Sequence, residues 1–145
     1  MKFYAMSDIH GCLKELEYAL SLIDLSADNK LILLGDYIHG KDGYGVLDKV
    51  ISLQVCYGRD KVIALLGNHE DAVLDNICSI NDDDIFLDTD KKYIDWMKTL
   101  PRYYETEKQI YCHAGICEES EDFLEMVNVR LYVYFKIPCT VWRVL

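Results

Sequence analysis

Four short stretches carry the groups in this sequence that could do chemistry: Asp8-Ile9-His10-Gly11, Gly35-Asp36, Gly67-Asn68-His69-Glu70 and His113-Ala114-Gly115. Each sets a carboxylate, a carboxamide or an imidazole beside a glycine. Mixed oxygen and imidazole donors suit Mn, Fe or Zn, whereas the absence of thiolate from the set argues against a structural zinc cage. A carboxylate shared by two ions would hold them roughly 3.5–4 Å apart, the arrangement that clamps both attacking and leaving oxygens in phosphoryl hydrolysis. Taken singly, each stretch has a bland explanation. An Asp-x-His pair is common, Gly-Asp after a strand is usually a turn, Asn68 could cap a helix, and a histidine after a strand often only satisfies a local hydrogen bond. Their shared placement is what joins them.

That placement follows from the apolar pattern. Residues 2–7, 30–36, 61–68 and 108–115 read as strands, the second and third as apolar runs suited to burial on both faces. Between them, Leu13, Leu16, Leu20 and Ile23 fall at helical spacing, as do Val46, Leu47, Val50 and Ile51, with Gly58 as the stop. "HEDAVLDNI" and "DKKYIDWMKTL" read as shorter helices, the second ending before Pro101, and "NDDD" at 81–84 as a solvated turn. The alternation predicts an α/β fold with a largely parallel sheet. In such sheets function gathers at the carboxyl ends of the strands, so Asp8, His10, Asp36, Asn68 and His113 should converge, with His69 and Glu70 beside them.

Composition narrows the partners. The 145 residues are 51% hydrophobic, enough for one domain with a core, and the formal charge is −10. That balance argues against nucleic acid, which demands clustered Lys and Arg, and against an anionic membrane surface. No signal peptide or membrane span is legible, so a cytoplasmic protein is expected. The six cysteines are irregularly spaced without a CxxC pair and read as reduced, partly buried thiols.

In this order, "DIHG", "GDY", "GNHE" and "CHAG" resemble the calcineurin-like metallophosphoesterases, and more narrowly the phosphoprotein phosphatase branch in its short bacterial and phage form. The resemblance runs from Lys2 to about Asp122 and includes Trp96 and Leu100-Pro101. It implies layered β-sheets flanked by helices and two divalent ions, with Mn favoured and Fe or Zn as alternatives. It also implies that Asp8 and His10 bind the first ion, Asp36 bridges both, Asn68 and His113 bind the second, and His69 protonates the leaving oxygen. Water activated between the ions would attack phosphorus directly, with no phosphoenzyme.

Two departures stand out. Members commonly carry an Asp and an Arg three and four residues after the bridging carboxylate, the first orienting the general-acid histidine and the second gripping phosphate. Here those positions hold His39 and Gly40. A neutral His39 can accept a hydrogen bond from His69 but cannot stabilise an imidazolium as a carboxylate does, and two cationic rings would repel. Asp42 could stand in for the carboxylate and Lys41 for the phosphate grip, as a point charge without the fork of Arg. The second departure is that no histidine follows His113, where the resemblance implies a further ligand to the second ion, and later strands of a second sheet are missing.

Residues 1–122 are therefore read as the family core and 123–145 as an atypical apolar tail. The tail carries Arg130, Lys136 and Arg143 against Glu125 and has no glycine. It reads as a frameshifted or truncated end, the favoured explanation, or as an edge strand pair closing the sheet. The leading functional expectation is a phosphomonoesterase acting on phosphoserine or phosphothreonine. Dinucleoside polyphosphate hydrolysis, suggested by "DIHGC" and "GNH", and a non-catalytic metal- or phosphate-binding remnant are the rivals. A phosphorylated protein or a small phosphoester is the expected partner.

Overall fold

The computed structural model describes residues 1–81 and 90–114. Strands β1 (Lys2–Met6), β2 (Asn29–Leu33) and β3 (Val62–Ala64) form one parallel sheet in that order, with Met6 opposite Leu33 and Leu33 opposite Ala64. The connections carry helices α1 (Leu13–Ser21) and α2 (Gly43–Tyr57). Beyond β3 come α3 (Asn68–Leu74), α4 (Lys91–Met97) and an antiparallel pair, β4 (Tyr103–Glu105) and β5 (Ile110–Cys112).

The two-residue period of a strand divides the core into two layers. Leu31, Leu33, Val62 and Ala64 belong to the cluster that contains Leu16 of α1 and Val46, Leu47 and Val50 of α2. Each of the last three is fully buried, worth roughly 1.5–3 kcal/mol apiece relative to exposure. Ile32 and Ile63, with Leu34 and Leu65 just past the strand ends, turn the other way and pack on Tyr111 of β5 and, at its margin, Tyr104 of β4. Helices thus cover one side of the parallel sheet and the β4–β5 pair covers the other, so the expected α/β layering with helices flanking the sheet is present.

The helices fall where the apolar spacing predicts them. Asp42 opens α2 by accepting a hydrogen bond from the Gly45 N–H at 2.8 Å, and Gly58, at φ 88°, closes it while donating to the Gln54 carbonyl. The Gln54 amide donates in turn to the Val62 carbonyl and accepts the Trp96 indole N–H, tying α2, β3 and α4 together in the core.

One expectation changes. The segment read as a fourth strand pairs not with the parallel sheet but antiparallel to β4, which the sequence pattern does not reveal. β4 is three residues long, half-exposed, and flanked by Pro101 and the polar "TEKQ" turn, so it has no apolar alternation to read. The boundary near residue 122, the tail at 123–145 and most of the acidic turn lie outside the described residues. Among the described residues, Cys12, Cys56, Cys78 and Cys112 form no disulfide. Among the described residues no helix is long and apolar enough to cross a membrane.

Candidate metal centre

The carboxyl ends of β1, β2 and β3 meet the end of β5 at a cleft lined by Asp8, His10, Asp36, Asn68, His69, His113 and Ala114. Main-chain hydrogen bonds hold the first two loops side by side. Asp8 N–H donates to the Gly35 carbonyl, His10 N–H to the Asp36 carbonyl at 3.0 Å, and Gly11 N–H to the Tyr37 carbonyl at 2.9 Å. Asp8, His10, Asp36 and His39 all have positive φ, between 44° and 65°. Such conformations cost of order 1–3 kcal/mol each and persist where surrounding structure over-determines them, commonly at functional sites.

Gly35 and Gly67 bring the second and third loops into direct backbone contact. A Cβ on Gly67 would lie 2.3 Å from both the Asp36 nitrogen and its Oδ1. Glu70 locks this contact. Its fully buried carboxylate accepts the N–H groups of Asp36 and Tyr37 at 2.8 Å, Gly67 at 3.1 Å and Ile38 at 3.2 Å. Burial pushes its carboxyl above the ordinary value, and the N–H donors pull against that shift.

Asp36 is the hub. Its Oδ1 accepts the His69 N–H at 3.1 Å, while its Oδ2 faces three imidazole Nε2 atoms: His113 at 3.2 Å, His10 at 3.6 Å and His69 at 3.9 Å. Asp8 Oδ1 stands 3.9 Å from His10 Nε2. His10 Nδ1 donates to the Ile38 carbonyl at 3.1 Å, which leaves Nε2 as the ring's lone-pair nitrogen facing the cleft. His113 Nε2 lies 2.8 Å from Asn68 Oδ1 as well, and its buried Nδ1 has no hydrogen-bond partner among the described residues.

Burial works to raise the Asp36 carboxyl, but the His113 hydrogen bond, the His69 N–H and the adjacent imidazoles outweigh it and hold it below the usual value. The Asp36 hydrogen bond lifts His113 above the ordinary histidine value, against burial. Burial depresses His69, with the neighbouring imidazoles His10, His39 and His113 adding to the effect and Asp36 opposing it.

The donor set fits divalent ions. One carboxylate oxygen cannot hydrogen-bond well to three imidazoles, yet such a convergence is natural where ions lie between the donors. Ligand atoms sharing an ion at about 2.0–2.2 Å are roughly 3–3.5 Å apart, and the separations around Asp36 Oδ2 fall in or just above that range. Two overlapping groups, His10–Asp36–His69 and Asp8–Asp36–His113, each have ligand atoms within 4.8 Å of one another and share Asp36.

The five residues expected as metal ligands are therefore brought together, and His69 sits among them. Asn68 is the first residue of α3 rather than its cap, which is Gly67, and its amide oxygen is turned to His113. His39 stands behind His69, with the two Nδ1 atoms 2.5 Å apart. Asp42 corrects an expectation: its carboxylate is spent on the N-terminus of α2, and the charged groups acting on His69 are Asp36, His10, His39 and His113. Gly40 has no room for a side chain at all, since a Cβ there would lie 2.1 Å from the His10 carbonyl oxygen at φ 82°. An arginine at this position would require a different loop. Sequence reasoning noted Glu70 only as a neighbour. Its signal is the three-residue step from Gly67 to Glu70, the spacing at which a helix's third residue reaches back to the N-cap N–H.

Comparison with known proteins agrees with this geometry. A family profile described as calcineurin-like phosphoesterase matches residues 1–137. The symmetrical bis(5'-nucleosyl)-tetraphosphatase of Vibrio campbellii is 33% identical over 126 residues, covering 80% of this chain and 45% of its own length. The protein of the same name from Chromobacterium violaceum is 32% identical over 129 residues, covering 82% of this chain and 45% of its own. Among solved structures, the cold-active protein-tyrosine phosphatase of a psychrophilic Shewanella species is similar in fold, with a TM-score of 0.60 at 21% identity over 87% of this chain and 44% of that one. The chain thus spans a little under half the length of the curated relatives it matches.

Proposed function

This chain belongs to the calcineurin-like phosphoesterase family, and from that membership we propose that it carries a two-ion centre for phosphoester hydrolysis, with dinucleoside polyphosphates as the favoured substrate class. The observation that carries the hydrolytic reading is Asp36 Oδ2, faced by three imidazole nitrogens and flanked by Asp8. The names of the curated relatives, matched over four-fifths of the chain, support the substrate class. This reverses the order expected from the "GNHE" and "CHAG" wording, which put a phosphoprotein first; that substrate becomes the second reading.

Bound ions would lower the pKa of water and neutralise charge on the phosphoryl oxygens. The chain's own residues do the rest. Asp36, common to both geometric groups, would be shared by the two ions, with Asp8 and His10 as ligands of one and Asn68 and His113 as ligands of the other, a division that the resemblance supplies. Glu70 holds the Asp36 and Asn68 loops in register, so the donors are aimed before substrate arrives. His69 turns Nε2 toward the cleft, where it gives a proton to the leaving oxygen. The chain's negative charge is no obstacle to an anionic substrate, because divalent ions dominate the local field.

The test compares turnover of diadenosine tetraphosphate and a phosphoserine peptide by the Mn²⁺-loaded chain, with Asp36→Asn as control. A kcat/KM at least about tenfold higher for the dinucleotide, lost in Asp36→Asn, is expected; tenfold corresponds to about 1.4 kcal/mol in transition-state binding. Preference for the peptide would establish the second reading. Equal turnover by Asp36→Asn would remove the two-ion mechanism.

A further inference from the structure

His113 is held differently from its neighbour His10. The His10 ring is fixed from behind, its Nδ1 donating to the Ile38 carbonyl at 3.1 Å, the second hydrogen bond that usually orients an imidazole ligand. The buried Nδ1 of His113 has no such partner among the described residues. The aim of that ring therefore depends on where its strand end lies. Asn68, whose Oδ1 stands 2.8 Å from His113 Nε2, belongs to a different element.

Two rungs join those elements. Tyr103 pairs with Cys112 in the β4–β5 ladder, so Arg102 stands across from His113 just past the end of the ladder, on the same side of the ribbon. On α3, Asn68 and Asp71 are three residues apart and share a face, about 4.5 Å along the axis. The first rung is His113 to Asn68. The second is Arg102 to Asp71, in which Nη1 and Nη2 each donate to one carboxylate oxygen at 2.9 Å. Among the described residues, no other hydrogen bond links α3 to the β4–β5 pair and the residues flanking it.

An exposed ion pair ordinarily contributes little, because solvent screens it and two mobile side chains must be ordered. This one is a fork on a fork. Although the Arg102 side chain is 71% exposed, that of Asp71 is only 33% exposed, on a helix anchored in the core by Val73. Asp75, one turn further along α3, also attracts Arg102, which thus relieves repulsion between two carboxylates four residues apart. From this we propose that Arg102, forked onto Asp71, is a positioning residue that holds the end of β5 against α3 and so keeps His113 and Asn68 at the spacing one ion needs.

Glu70 holds Asn68 to Asp36 from within the core. Arg102 holds Asn68 to His113 from the surface, where salt can reach it. The effect on the ion rests on the two-ion reading above and on the assignment of Asn68 and His113 to one ion; the strap between β5 and α3 does not.

Two measurements separate them. The first records ¹H–¹⁵N spectra of the Asn68 side-chain amide and the histidine rings in the metal-free 145-residue chain. Arg102→Met, which keeps the length of the side chain without its charge or fork, should shift the Asn68 and His113 resonances and leave those of His10 in place. Unmoved Asn68 and His113 resonances would overturn the strap whether or not the chain binds metal. An equal displacement of His10 would overturn it too, as a sign of general loosening. The second measurement titrates Mn²⁺ into each protein by calorimetry, with two binding steps expected for the wild type. Arg102→Met should weaken one step by about tenfold, the lower end of what outer partners of metal ligands contribute, and the other by less than about twofold. Arg102→Lys, a point charge without the fork, should fall between Arg102→Met and wild type. Asp71→Asn should weaken the same step, and the double variant by less than the two losses combined, because the residues act as one unit. At about 1 M NaCl, where the screening length is about 3 Å, the wild type should lose most of its advantage over Arg102→Met. Equal weakening of both steps, or fully additive losses, would overturn the positioning role. A wild-type chain that binds one ion or none would count against the two-ion reading alone, leaving the spectra to decide the strap.

Discussion

Glu70 shows how far one residue's surroundings outrun its type. A glutamate after Asn-His would ordinarily be a solvated first-turn acid, favourable to the helix dipole by a few tenths of a kcal/mol. Here it is wholly buried and gathers four main-chain donors from two loops, 36–38 and Gly67. Glu70→Gln would turn an amide NH₂ toward N–H groups and leave buried donors unsatisfied. A loss of about 2–4 kcal/mol in urea denaturation is expected, together with weaker Mn²⁺ binding by calorimetry, because Asp36 and Asn68 lose their common anchor. Wild-type metal affinity in a folded Glu70→Gln protein would show that the ligands are held by other contacts.

At the scale of elements, the Gly-rich turns after the strands and the caps of the helices divide the labour. Asp42 belongs to the second group. The Asp42→Ala variant should lose about 1 kcal/mol of stability, the ordinary worth of a helix N-cap, read as a lower urea midpoint. Its hydrolytic rate at saturating Mn²⁺ should change by less than about twofold. A much larger fall in kcat at unchanged stability would return Asp42 to the chemistry. The β4–β5 pair bears on the site from the other direction. Tyr111 packs on Ile32, Leu34, Ile63 and Leu65, which fixes the strand that delivers His113 against the face of the parallel sheet.

For the molecule as a whole, the crowding of imidazoles makes stability depend on pH in the metal-free state. His113 is raised above the ordinary 6.5 by Asp36. The stability it contributes is fully present below 6.5 and is lost as pH rises through its raised value. His69 is lowered from 6.5, chiefly by burial, so its contribution has the opposite sense: present above 6.5 and lost as pH falls through its depressed value. Metal-free protein should therefore be most resistant to urea near pH 6.5 with respect to these two groups. His113→Gln should flatten the alkaline side of the profile and His69→Gln the acid side. Metal affinity should run the other way on the alkaline side, climbing as His113 gives up its proton, since ions bind only the deprotonated ring. A profile unchanged by either substitution would contradict these assignments.

Much of this was legible in the sequence because it depends on local pattern. Continuous apolar runs closed by turn residues and period-3.6 spacing of Leu, Val and Ile are enough to locate the parallel strands and the helices, and a polar group beside a glycine at each strand end marks Asp8, His10, Asp36, Asn68, His69 and His113. Burial of both sheet faces leaves few alternatives for such a pattern, and the strands' parallel run brings their ends together. Other features were settled by groups distant in the chain. Whether Asp42 reaches His69 or caps α2, and whether Glu70 is solvated or buried among N–H donors, both depend on main-chain amides. Those groups are common to every residue and leave no mark in the sequence. β4 is likewise defined by its partner strand rather than by its own side chains. Only the tertiary structure could decide these points, because a hydrogen bond to backbone requires a position in space and no particular residue type.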